Sequence, residues 1–455
     1  MTSLLLAAAV LTMRVDYYHS GNATKEQFSL DRVVVEPLAW PGNPAKAVDT
    51  TLRGKYWFEV VDEATKRLVF SRGFASMYGE WETTAEAMKM NRTFSESLRF
   101  PSIDKPARIV LKKRDAKNAF QEIWTTRVDP SDKFIVRAGA LAPAGPLIKL
   151  HERGDPAAKL DLLILGDGYT AGERGKFESD AKRLLGIFFA TSPFKEREND
   201  INVWGLVPAS TDSGISRPSD HLYKRTPLGT TYDTFGSERY VLTEENRKFR
   251  DIAANAPYEA VEIITNSATY GGGGIYNLYS TVAADSGFAP YIFVHEFGHH
   301  LAGLADEYYT SDVAYLPPAV KVEPWEPNVT ALLDPLKLKW RDLVAPGTKL
   351  PTPWPKDDFE KLQKDYQAQR RTLRDTHRPE EEFNELSDKE KARETALLNN
   401  PALKGRVGAY EGANYEARGY YRPQSDCIMF TRDAVGFCAV CKRAIDETLD
   451  LYSKR

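Results

Sequence analysis

Hydrophobic patterning divides the chain into two textures. Up to about residue 142 the apolar residues come in short runs. "DRVVVEPL", "GKYWFEVVD", "RLVFSRGF", "KPARIVLKKRD" and "FQEIWTTRVDP" are rich in Val, Ile, Phe, Tyr and Trp and are separated by turn residues, which is how strands read. In "KYWFEVV" the residues Tyr56, Phe58 and Val60 alternate, as in a half-buried strand. "DEATKR" (residues 62–67) then turns the chain into "LVF". Five or more such strands predict a β-sandwich over residues 13–142. No catalytic residue types cluster in it, so a chain starting near Ile148 is expected to keep whatever chemistry the protein has.

"LAPAGPLI" reads as a linker, and the texture changes after it. "LDLLILGDGYT" holds a continuous apolar run at residues 162–165, as in a strand covered on both faces. Thr170 and Glu173 make a T-x-x-E capping box. Phe177, Ala181, Leu184, Leu185 and Phe188 then fall on one helical face. "INVWGLV" and "AVEIITN" read as further strands, and the alternation predicts an α/β layer. The fold class is therefore α+β: an N-terminal β-sandwich, then an α/β domain over residues 148–455.

Four glycines, Gly271 to Gly274, read as a flexible loop leading into an edge strand, "IYNLYSTV". Such an edge can accept a peptide as an extra strand. No GK[ST] follows, so this is not a phosphate loop. Residues 357–399 are strongly charged. Phe359, Leu362, Tyr366 and Leu373 follow near-heptad spacing, and Leu386, Leu397 and Leu398 belong to a second segment. They predict a helical hairpin inserted at the rim of the second domain, with His377 at its surface.

Charge removes one class of partner. The 455 residues carry 61 basic and 64 acidic side chains, a net charge of −3. No basic excess exists to neutralise phosphates, which argues against nucleic acid. The apolar run at residues 4–11 is too short to span a bilayer, and no other segment reaches that length. Residues 1–12 read as a signal-peptide core, a disordered start or a first strand, and no stable membrane insertion is expected. The three cysteines are Cys427, Cys438 and Cys441. One CxxC cannot make a four-ligand structural zinc site. The cysteines read either as one disulfide, Cys427 with Cys438 or Cys441, or as buried free thiols. No D-x-D-x-D-G calcium loop occurs.

The candidate chemistry sits in "FVHEFGHHLAGLADEYY". Residues four apart share a helix face, so His295 and His299 can both direct a ring nitrogen at one zinc ion. Glu296 projects about 100° round the helix and can take a proton from water, as in H-E-x-x-H peptidases. His300 points elsewhere and reads as solvated or hydrogen-bonded. The helix is expected to stop at Gly303, and the reversed chain then brings Asp306 up as third ligand, with Glu307 as its neighbouring rival. This resembles the metzincin pattern H-E-x-x-H-x-x-G-x-x-[HD], with one residue added before the glycine. In "YYRPQSDCIMFTRD" the lone Met429 reads as a Met-turn beneath the metal, and Tyr420 or Tyr421 as a phenol donor to the oxyanion.

These residues resemble the IgA-peptidase-like zinc metallopeptidases. "LILGDGYT", "HEFGHHLAGLADEYY" and "DCIMF…FCAVCKRAI" carry the likeness, and "DYYHSGN", "DRVVVEPLAWPG" and "GEWETT" look like that family's N-terminal domain. The resemblance implies an exported, extracellular or periplasmic zinc endopeptidase with one zinc per chain and a protein or peptide substrate. Three rivals share the residues. One is a carbohydrate- or surface-binding protein with an inactive metal site. Another is a gluzincin with Glu323 as third ligand. The last is a zinc amidase acting on a non-peptide substrate.

Overall fold

The computed structural model describes residues 10–137, 144–311, 313–316 and 321–453. Residues 1–9 of the leader-like segment and 141–143 of the linker lie outside the described residues. The first domain is built from β1 (Leu11–Gly21), β2 (Glu26–Ala39), β3 (Tyr56–Asp62), β4 (Leu68–Phe74), β5 (Arg92–Pro101), β6 (Ala107–Arg114), β7 (Phe120–Val128) and β8 (Val136–Arg137). They form two four-stranded sheets, ordered β5-β1-β2-β8 and β4-β3-β6-β7. Inward residues such as Val15, Tyr17, Phe58, Val60, Ile109 and Leu111 meet in one core, as the alternation requires.

Two strands escape the apolar pattern, for the same reason. β5 alternates strictly, but Glu96 occupies one of its inward positions, where it accepts the Tyr17 hydroxyl at 2.8 Å. β1 begins at Leu11, inside the segment read as a leader, and is buried on both faces. Its Arg14 and Asp16 are fully buried and pair at 2.8 Å. Arg14 also pairs with Glu36 and with Asp251 of the second domain.

The second domain has β9 (Ile148–His151), β10 (Leu160–Asp167), β11 (Ile201–Leu206), β12 (Ala260–Thr265), β13 (Gly272–Ile275) and β14 (Tyr279–Ala283) in one sheet, ordered β13-β14-β12-β10-β11-β9. Neighbours among β14, β12, β10 and β11 are parallel, and both edge strands are antiparallel. β10 is buried throughout, and its two rows of side chains enter different cores. Leu162 and Ile164 join the core shared by α2 (Arg174–Phe188), α4 (Ala289–Ala302) and α7 (Ala439–Tyr452). Leu163 and Leu165 join Phe249 of α3 (Asn246–Ala253), Met77, Tyr78 and Trp81 of the short α1 (Met77–Trp81), and Phe94. The sandwich therefore helps to cover one face of the second domain's sheet.

The capping box at Thr170 and Glu173 is formed, and all five apolar residues named for α2 are buried. The charged insert is α5 (Lys356–Asp375) and α6 (Glu380–Leu398), close to the predicted hairpin. His377 is exposed in the connecting turn. A hairpin of β15 (Tyr410–Ala413) and β16 (Glu416–Arg422) follows.

The glycine run is not a loop. Gly272 to Gly274 are themselves the edge strand β13, and residues 276–278 turn into β14, where the sequence suggested one strand. The physical reason is close approach. A Cβ on Gly274 would lie 2.3 Å from the Glu296 carbonyl oxygen, and one on Gly272 would lie 2.5 Å from Ile292 Cγ2. Only glycine lets the edge strand lie this close to α4.

Candidate metal centre

α4 is apolar over most of its surface and is buried between β13, β14, α2 and α7. It ends where Gly303 adopts φ 62°, ψ 39°, with the Gly303 N–H donating to the His299 carbonyl at 3.0 Å. This left-handed cap reverses the chain. Asp306 then faces the two histidines, despite the extra residue before the glycine. Its Oδ1 lies 3.0 Å from His295 Nε2 and 3.2 Å from His299 Nε2, and the two Nε2 atoms are 3.2 Å apart. Tetrahedral ligands bound at about 2.0–2.1 Å hold their donor atoms about 3.3 Å apart, so this triangle has the required size.

Both imidazoles are oriented from behind. His295 Nδ1 donates to the Ile428 carbonyl at 2.9 Å, and His299 Nδ1 donates to the Leu304 carbonyl at 2.5 Å. Those bonds fix the tautomer and leave both Nε2 lone pairs facing each other and Asp306. Asp306 Oδ1 is buried and makes no hydrogen bond of acceptable geometry, while its Oδ2 accepts the Tyr415 hydroxyl at 2.6 Å. Lone pairs converging on an orphaned carboxylate oxygen need a cation. Burial opposes charge on both groups, yet the facing histidines hold Asp306 well below the usual carboxylate range, and Asp306 lifts His299 to about 9; a metal bound here would take the place of the imidazole proton. The donor set of two imidazoles and a carboxylate suits zinc, with one position left open.

Glu296 lines the cleft beside this triangle. Burial pushes its carboxyl above the usual range, with His295 and His299 pulling the other way. Glu296 and both histidines offer donor atoms within 4.8 Å of one another. Distance alone therefore does not separate base from ligand. The tighter contacts of Asp306 and its orphaned oxygen favour Asp306 as the third ligand.

The other sequence candidates fall in different places. Met429 is buried in a turn closed by the Phe430 N–H donating to the Cys427 carbonyl at 2.8 Å. The adjoining Ile428 carbonyl is the one that orients His295. Tyr420 and Tyr421 do not line the cleft. Tyr420 is packed with Ala305 and Val329 and donates to the Val322 carbonyl at 3.3 Å, and Tyr421 pairs through its backbone with Thr330. The phenol that reaches the site is Tyr415, in the β15–β16 turn, where Asn414 and Tyr415 both have positive φ. The dipeptide "NY" is a turn signal, but its destination depends on tertiary packing. His300 is buried. Its Nε2 accepts the Val261 N–H at 2.9 Å and its Nδ1 donates to the Ile275 carbonyl at 3.1 Å, stitching α4 to the sheet. Glu307 points away from the triangle and accepts Asn328 Nδ2 at 2.9 Å. Glu323 is tied to Lys339 at 3.2 Å and to the Ala331 N–H at 3.0 Å.

The cleft above the triangle holds about 1050 Å³, beyond the roughly 300–1,000 Å³ common for small-molecule pockets. Its walls come from three parts of the chain. Glu80 and Arg114 belong to the first domain, Arg239 and Tyr308 flank the metal residues, and Tyr366 and Arg370 belong to α5. Among the described residues no helix is long and apolar enough to cross a membrane.

The profile of the family described as IgA Peptidase M64 matches residues 148–449, and that described as Peptidase M64 N-terminus matches residues 8–125. No curated protein matches the chain. The matches cover both domains and most of the chain, and the triangle of His295, His299 and Asp306 lies within the longer one: the chain belongs to the IgA peptidase M64 family of metallopeptidases.

Proposed function

We propose that the protein is a zinc-dependent endopeptidase of metzincin type, with His295, His299 and Asp306 as ligands and Glu296 as general base. The observation that carries this is the orphaned, buried Asp306 Oδ1 facing two Nε2 lone pairs at 3.0 and 3.2 Å, with a carboxylate one residue from the first histidine. When bound there, the metal supplies a Lewis acid for the scissile carbonyl and acidifies a water.

The chain's own residues supply the rest. Glu296 takes a proton from the attacking water and returns it to the leaving amine. A carboxyl raised by burial is suited to both halves of that task. Tyr415 holds Asp306 Oδ2 and so positions the ligand rather than the substrate. Tyr308 takes over the oxyanion-donor role first given to Tyr420 or Tyr421. It lines the cleft, and its hydroxyl oxygen accepts an N–H of Arg239 at 3.3 Å. The three-walled cleft suits an extended chain threaded past the metal, which favours a peptide over a small amide. The family name assigns no immunoglobulin substrate to this chain.

Incubation of the purified protein with a mixed peptide library, with and without a chelator, tests the reading. The expected result is cleavage at internal bonds, lost with chelator and restored by zinc. His299→Ala is expected to lower bound zinc and abolish cleavage. Equal turnover with and without chelator would sink the metal assignment, and removal of terminal residues only would sink the endopeptidase assignment.

A further inference from the structure

A second cluster of groups able to bind a metal lies apart from the lining of the cleft. Glu307, Cys427, Cys438 and Cys441 are 0–3% exposed, and their donor atoms all lie within 4.8 Å of one another. The Cys427 and Cys441 sulfurs are 3.9 Å apart, and Glu307 Oε1 is 3.4 Å from Cys441 Sγ. Tetrahedral zinc with Zn–S near 2.3 Å and Zn–O near 2.0–2.2 Å separates its sulfurs by about 3.8 Å and sulfur from oxygen by about 3.5 Å. A disulfide needs about 2.05 Å, and all three thiols are free.

Glu307 provides an independent pointer. It is fully buried, and its Oε2 has no hydrogen-bond partner among the described residues. An orphaned carboxylate oxygen in the interior is costly unless a cation answers it. Two of the sulfurs receive backbone donors as well. Cys427 Sγ accepts the Cys438 N–H at 3.2 Å, and Cys438 Sγ accepts the Cys441 N–H at 3.5 Å. Cys438 caps the N-terminus of α7. Backbone donors and a helix N-terminus both favour thiolate over thiol.

We propose that Glu307, Cys427, Cys438 and Cys441 form a second, structural zinc site. Four protein ligands close the coordination sphere, so this metal carries no water for chemistry. Three thiolates and a carboxylate on a divalent ion leave the same net charge as a four-cysteine site. Three cysteines look one ligand short in the sequence, and the fold supplies the fourth from the residue that rivalled Asp306 for the catalytic metal.

The site's purpose is mechanical. Glu307 follows Asp306 directly, and its N–H donates to the Met429 carbonyl at 2.8 Å. Cys427 precedes Ile428, whose carbonyl orients His295. A metal here clamps the third-ligand segment, the Met429 turn and α7 into one body behind the catalytic triangle.

Cobalt substitution of the full-length protein, purified under reducing conditions, tests the assignment. Stripped and reloaded protein is expected to take up about two cobalt ions per chain, with a strong thiolate-to-cobalt charge-transfer band that two histidines and an aspartate cannot give. His299→Ala is expected to lose one ion and keep the band, and Cys441→Ser to lose the band. If Cys441→Ser fails to fold, the wild-type spectrum still decides. No charge-transfer band in the reloaded wild type overturns the site, as does an intact mass two hydrogens lighter with Cys427 disulfide-bonded. A wild type that shows the band but hydrolyses no peptide supports this site and sinks the peptidase reading separately.

Discussion

Glu296→Gln is expected to keep both its metal and its fold while losing roughly 10²–10⁴-fold in turnover, the share general acid–base catalysis commonly supplies. Glutamine has nearly the same shape, and shape matters here. Gly272 approaches so closely that its missing Cβ would lie 3.4 Å from Glu296 Cγ. The amide cannot accept a proton at neutral pH, so the variant removes chemistry and leaves packing. The triangle of His295, His299 and Asp306 stays complete without residue 296. Metal analysis beside steady-state peptide hydrolysis reads both halves of the expectation. A variant that lost zinc would make Glu296 a ligand, which its distance from the histidines alone would permit. A variant with full activity would move the base to another residue.

Deletion of residues 1–143 is expected to leave a second domain that neither folds stably nor hydrolyses peptides, although the metal residues all lie beyond the cut. Met77, Tyr78, Trp81 and Phe94 share one core with Leu163, Leu165 and Trp204 of the catalytic sheet. Covering a large apolar side chain is worth roughly 1.5–3 kcal/mol, and a whole domain keeps only about 5–15 kcal/mol in reserve. Uncovering several of them at once exceeds that margin. Asp251 would also lose Arg14 and Arg32, and the Tyr258 carbonyl would lose Arg99. Circular dichroism melting and metal content of the truncated chain give the measurement. A soluble, cooperatively folded and active fragment would show that the sandwich is an accessory, as its lack of catalytic residues first suggested.

What the sequence reveals and what it hides divide along one line. Features set within a few residues are legible. The i, i+4 histidines, the glycine that ends their helix, the capping box at Thr170 and the alternation in β3 are all local. Features that depend on distant segments are not. Glu96 and Arg14 look like surface charges until their partners 79 and 237 residues away are known. Glycine carries no strand propensity, so β13 reads as a loop until α4 is seen pressed against it. Tyr415 and Tyr420 are equally good phenols on paper, and only the hairpin turn decides which one reaches Asp306. Glu307 looked like a spare catalytic ligand because its sulfur neighbour, Cys441, is 134 residues downstream.

The Ile428 carbonyl that aims His295 also has a bearing on synthesis. It lies 133 residues after the histidine it orients, so a ribosome delivers the helix of His295 and His299 long before the group that aims it. A chain still being made carries the H-E-x-x-H segment with one imidazole unaimed. Aiming of that ring is therefore among the late events of folding, since it waits for residue 428 to be made and packed.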